Sequence, residues 1–151
     1  LSNENIVGTY NISELNIKTK VTSTTDVAGV LIPFTVATST SNGDIFQFAF
    51  VLNSDGTFSA SGQFVLETEV TPATGDVVTN QEILNNINSG TYTLNSENAK
   101  ITFVSSTGDF LKGTYNILTF NETVLSLNQE IEEVVDTITT EINTSISFIR
   151  E

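Results

Sequence analysis

Cysteine and histidine are both absent from this sequence. Without cysteine there is no disulfide, no thiol nucleophile and no thiolate metal site, and without histidine the commonest general base and transition-metal ligand are gone. Cations are scarce too: five Lys and Arg face eighteen Asp and Glu, a formal charge of −13. That balance repels phosphate backbones and anionic lipid surfaces, so nucleic acid is not expected as a partner. No apolar run reaches the roughly 20 residues of a membrane-spanning helix, and no basic start with an apolar core opens the chain at Leu1. Serine and threonine abound, but only Lys18, Lys20, Lys100, Lys112 or a carboxylate could act as base for them, and no two acids share an apolar setting. The chain reads as non-enzymatic, with no cofactor.

What is present points to an all-β protein. At 151 residues the chain is one domain, residues 1–151, long enough to bury roughly two-thirds of its unfolded surface. Ten Phe and a heavy load of Thr, Ser, Val and Ile suit half-wet strands better than helices. The clearest stretch is Asp44–Leu66. Phe46, Phe48, Phe50 and Leu52 share one strand face, Phe58, Ala60, Gly62, Phe64 and Leu66 share the next, and Asn53-Ser54-Asp55-Gly56 reverses the chain between them.

The same alternation predicts further hairpins. Tyr10 and Ile12 begin a strand whose pattern slips by one residue before Leu15 and Ile17, as a β-bulge near Ser13-Glu14 would cause. Thr22–Asp26 reads as a loop, and Val30–Val36 as a segment apolar enough to touch the core but held to an edge by Pro33. Gln81–Asn88 fits either a strand or a single helical turn. Tyr92, Leu94, Ile101 and Phe103 face inward around an Asn95–Asn98 turn, and Tyr115, Ile117, Leu125 and Leu127 do so around Asn121-Glu122. In the tail, β-branching favours a final hairpin turning near Val134–Thr139. Short connections and no βαβ alternation imply an antiparallel up-and-down β-barrel of eight to ten strands with little helix.

Four features taken in order resemble the lipocalin-like (calycin-type) domain of secreted and lipid-anchored proteins of Bacteroidetes-type bacteria. These are Ile6-Val7-Gly8-Thr9-Tyr10; Phe48-x-Phe50 before Asp55-Gly56-Thr57-Phe58; Gly90-Thr91-Tyr92-Thr93-Leu94 before Lys100-Ile101-Thr102-Phe103; and Thr123–Leu127 with Phe148-x-Arg150. The resemblance implies a cell-envelope location, periplasmic or surface-exposed, with a membrane reached only through a lipidated Cys upstream of Leu1. It also implies that Arg150 closes the barrel over Tyr10, which stands where that family usually has Trp. An open interior would be lined by Phe46, Phe48, Phe50, Phe58, Phe64, Tyr92, Phe103 and Tyr115 and would take a small apolar ligand. A filled interior would leave a surface or assembly protein acting through protein contacts. Glu130, Glu132, Glu133, Asp136 and Glu141 read as a solvated acidic edge, because alternation disperses them; no metal is expected.

Overall fold

The computed structural model describes residues 1–151, apart from the side chain of Asn3. A single turn of helix, α1 (Asn3–Ile6), leads into eight strands: β1 (Gly8–Val27), β2 (Val30–Leu52), β3 (Thr57–Pro72), β4 (Val78–Asn95), β5 (Lys100–Thr107), β6 (Gly113–Phe120), β7 (Val124–Val135) and β8 (Ile138–Arg150). Each strand pairs antiparallel with the next, and β8 pairs back with β1 from Tyr10↔Arg150 to Ser23↔Ile138, so the order closes into a ring.

Local chemistry sets the turns. In Asn53–Gly56, Asp55 Oδ1 accepts from the Thr57 amide and hydroxyl at 3.0 and 2.6 Å, and Gly56 takes φ 80°. Between β6 and β7, Asn121 Oδ1 accepts from the Thr123 and Val124 amides. Ala28 and Gly29 at φ 55° and 85° make a two-residue reversal of the kind that matches strand twist. The tail turns at Asp136, φ 55°, and the bulge in β1 appears as a register shift between Ile12 and Glu14 opposite β8. Gln81–Asn88 is strand throughout, within β4.

Two expectations need correction. Thr22–Asp26 is not a loop but the continuation of β1, because each residue finds a ladder partner from Thr35 to Leu31 on β2. Val30–Val36 does not touch the core. Beyond Ser23 on β1 and before Ala37 on β2 the neighbouring strands stop pairing, so residues 24–36 project as a two-stranded ribbon with Val30, Leu31, Ile32 and Phe34 between 45% and 65% exposed. Pro33 does sit on an edge. The Thr24 amide bonds outward to Thr137 O, so Thr24 and Pro33 are a pair that exchanges no hydrogen bonds, and the missing amide of Pro33 costs the ladder nothing. A second bulge lies at Ile45, φ 51°, between Asp44 and Gln47 of β2, and leaves Phe46 only half-buried.

Strand lengths decide where the core sits. Tyr10, Ile12, Leu15, Phe48, Phe50, Leu52, Phe58, Phe64, Tyr92, Ile101, Phe103, Tyr115, Leu125, Leu127, Ile146 and Phe148 are buried together, all in the half of the ring near the β2–β3 turn and the termini. Thr57 and Thr102, out of phase with the inward Phe58 and Phe103, are half-buried. In the other half β5 and β6 have ended. Strands β7, β8, β1, β2, β3 and β4 run on as an open curved sheet with a gap between β4 and β7.

The two environments separate in stability. Phe50, fully buried, should lose about 3–5 kcal/mol on replacement by Ala, whereas Phe34→Ala on the projecting ribbon should stay within about 0.5 kcal/mol. Equilibrium denaturation of both variants checks this; comparable losses would mean that the ribbon is packed.

Candidate functional site

The aromatic side chains expected to line an interior lie against one another. Phe50 meets Phe148 at 4.7 Å between ring centroids and Phe103 at 6.0 Å; Phe58 and Phe103 stand edge to face at 5.0 Å; Phe103 meets Tyr115 at 5.8 Å. Phe64 contacts both Phe48 and Phe46 at about 6 Å. Tyr92 is buried beside the β2–β3 turn, where its hydroxyl donates to Asn53 O at 2.8 Å. Such tilted and edge contacts fill space while satisfying the ring quadrupoles.

Above this layer lies a residue that alternation did not single out. Phe110, in the segment joining β5 to β6, covers Phe48 at 5.0 Å and Phe64 at 5.7 Å. Its segment is fastened by buried Asn88, whose Oδ1 accepts from the Leu111 amide at 3.0 Å while Nδ2 donates to Thr107 O at 2.7 Å and Ser105 Oγ at 3.1 Å. Neither residue carried a local signal: an Asn on the inward face of a strand looks polar and therefore wet, until the backbone it satisfies is known.

Beside Phe110 the ring opens into a cleft of about 620 Å³. Leu15, Ile17, Tyr115, Ile131 and Ile146 supply its apolar wall, with Gln129, Thr144, Lys112, Asp109 and Glu133 around them. Of the eight candidate lining residues, Tyr115 borders this cleft; Phe50 and Phe103 lie deeper, in the packed layer. Gln129 Nε2 donates to Lys112 O at 2.9 Å and Thr114 O at 3.3 Å, bridging β7 to the start of β6 where their ladder has stopped. A second cleft, about 580 Å³, crosses β2, β1, β8 and β7 at the level of Thr19, Ser39, Ile131 and Ile142 and shares Ile131 with the first. Alternation carries the inward face farther out, through Val70 and Val78 to Val135 and Ile138, all exposed.

This end is acidic. Asp26, Asp76, Asp109 and Asp136 stand at or beside its four turns, and Lys112 reaches only Asp109, at 3.4 Å. Among the described residues no group of three or more acids converges as a metal site.

At the opposite end Tyr10 and Arg150 occupy facing positions on β1 and β8. The Arg150 guanidinium carbon lies 5.2 Å from the Tyr10 ring centroid and 6.0 Å from that of Phe120. Its Nη2 reaches Tyr10 Oη at 2.8 Å and Val7 O at 3.0 Å, and it also meets Asn5 O within the helical turn. Tyr10 Oη in turn donates to Ile6 O at 2.6 Å. One cation therefore ties the last strand, the first strand and the N-terminal turn together.

No family model, curated protein or solved structure matches this chain.

Two predictions arise here. Arg150→Ala should destabilise the protein by about 1–3 kcal/mol, since it removes a charged donor from several oxygens at once; an unmoved unfolding midpoint would show that the end is closed by other contacts. The second concerns alkali. Burial pushes the phenols of Tyr10, Tyr92 and Tyr115 above their ordinary value of 10.0, with Arg150 partly opposing this at Tyr10. Each raised group favours the folded, protonated state. That contribution is intact below the ordinary value and is lost as pH rises past it. Phenolate absorbance should accordingly lag behind that of the unfolded chain and rise together with unfolding; three tyrosines titrating normally in folded protein would contradict it.

Proposed function

We propose that this is a non-catalytic, lipocalin-like protein of the bacterial cell envelope that takes a small, largely apolar molecule at the open end of its ring. The observation that carries the reading is the cleft bounded by Leu15, Ile17, Phe110, Tyr115, Ile131 and Ile146. Its volume falls within the range of small-molecule sites, and apolar walls with a few hydrogen-bonding groups are the usual chemistry of such sites. The ligand sits above the aromatic layer rather than within it. Gln129 and Thr144 offer it orienting polar groups, and the acidic turns disfavour an anion, so the fitting molecule is neutral or cationic. The envelope location rests on the sequence resemblance.

A second reading has its own support. The closed half of the ring is filled by side chains, as in a protein whose interior serves only stability and whose surface binds partners.

Titration with the neutral apolar dye N-phenyl-1-naphthylamine separates the two. Saturable enhancement is expected, and Ile17→Asp or Ile131→Asp should weaken it at least about tenfold, a loss of about 1.4 kcal/mol. Enhancement that never saturates, or that is indifferent to both substitutions, would sink the cleft reading and leave the solid-core one.

A further inference from the structure

The upper part of β4 is an open sheet edge. It pairs with β3 without interruption from Thr91 to Val78, but β5 reaches only Ser89, so along 78–88 the other side has no strand partner among the described residues. The direction of its free groups follows from two bonds. Tyr92 donates its amide toward the β2–β3 turn at Gly56 O, while Ser89 O faces β5, where Ser106 Oγ donates to it. Odd-numbered residues thus present their amides and carbonyls outward: Thr79, Gln81, Ile83 and Asn85. At Ile87 the edge is already covered, since Gly108 lies so close to its carbonyl that a Cβ there would stand 2.2 Å away.

Exposed edges normally carry a lysine, a proline, a bulge or a covering loop. This one has none of them between Val78 and Asn86, and Glu82 is its only charge. Ile83 on its outer face is 67% exposed, and the buried Nδ2 of Asn86 on its inner face has no hydrogen-bond partner.

We propose that this edge pairs with the same edge of a second copy of this chain, antiparallel, about a two-fold axis through Ile83. The sequence is self-complementary in that register. Ile83 faces Ile83 of the second copy, Gln81 faces Asn85, Glu82 faces Leu84, and Asn86 faces Asn80. Gln81, Ile83 and Asn85 exchange the ladder hydrogen bonds, and the even-numbered positions form the closer pairs between them. Moving the axis by one residue to Glu82 would set two carboxylates directly opposite. Charge therefore favours an axis at Ile83 over one at Glu82. An isologous contact of this kind closes at two copies.

Because the chain contains no cysteine, a single introduced thiol tests the axis. Opposed residues in a hydrogen-bonded pair lie about 5.5 Å apart at Cα, within reach of a disulfide. Ile83→Cys should cross-link to a dimer on mild oxidation far faster than Val104→Cys, an outward position of similar exposure, 63%, on β5. Wild-type protein should show a concentration-dependent dimer in sedimentation equilibrium. Ile83→Pro, which removes an outward amide and leaves the β3 ladder intact, should raise the dissociation constant at least about tenfold without changing the circular dichroism. A wild-type monomer at all concentrations, as expected if the edge instead serves a foreign strand, would overturn the proposal. Equal cross-linking of the two thiols would overturn it as well.

Discussion

The closure of β8 onto β1 is the constraint on which the rest of this structure depends. The two strands lie at opposite ends of the sequence, yet their ladder runs from Tyr10↔Arg150 to Ser23↔Ile138 and converts what would be two free edges into interior pairs. Only when that ladder forms do the inward faces of all eight strands look at one another. Phe148 then reaches Phe50 across the ring, and the edge-to-face contacts of Phe58, Phe103 and Tyr115 become contiguous. Such a contact is as non-local as the chain permits, so its loop-closure entropy must be met before burial returns anything. Arg150 acts at this seam: one guanidinium donates to backbone oxygens at the N-terminal turn and to the Tyr10 hydroxyl, with its carbon 5.2 Å from the centre of the Tyr10 ring.

Unequal strand length then determines what the closed ring can do. Both β5 and β6 have eight residues, against twenty in β1 and twenty-three in β2. A ring whose members were all as short as β5 would be a filled plug; one whose members were all as long as β2 would be a tube. Here the first condition holds at the end near the termini and neither holds at the other, where six strands continue without the two that would complete the circle. Phe110, pinned through Leu111 by the side chain of Asn88, forms the boundary between these regimes. Below it apolar side chains meet apolar side chains. Above it the same inward alternation continues with nothing opposite.

That boundary explains which parts of the molecule could be read in the sequence. Hairpins were legible because their information is local: Asn53–Gly56 and Asn121–Thr123 carry their own capping side chains, and the flanking Phe and Leu alternate without help from elsewhere. The tail hairpin was legible for a related reason, since β-branching at Val134, Val135, Ile138 and Thr139 disfavours helix whatever surrounds it. The ribbon at 24–36 was not. Leu31, Ile32 and Phe34 have the composition of a core segment, and only the lengths of the strands beside them leave those residues without cover. The positive φ of Ile45 was equally hidden, because a β-branched residue gives no warning of a left-handed conformation. At the cleft, Tyr115 and Ile17 followed from alternation, whereas Phe110, Gln129 and Asn88 owe their positions to backbone groups that a sequence does not show.

An open sheet with apolar inner residues invites indiscriminate pairing, and the protection against it is uneven. On the projecting ribbon Pro33 turns its ring nitrogen outward and interrupts the donors along β2, and Asp26 is committed to the Gly29 amide at the turn, so this edge is blunted where it is longest. Along β7 the open edge is lined by Glu130, Glu132 and Glu133, which would oppose like charges in an in-register parallel match and in an antiparallel match centred on any residue from 130 to 133. The edge of β4 has neither device. A chain with a charge of −13 repels its copies at long range, but salt screens that repulsion within roughly 10 Å, while ladder hydrogen bonds act at contact. Acidity therefore limits encounter without forbidding it, and of the open edges β4 is the one whose residues neither exclude a partner strand nor repel its own.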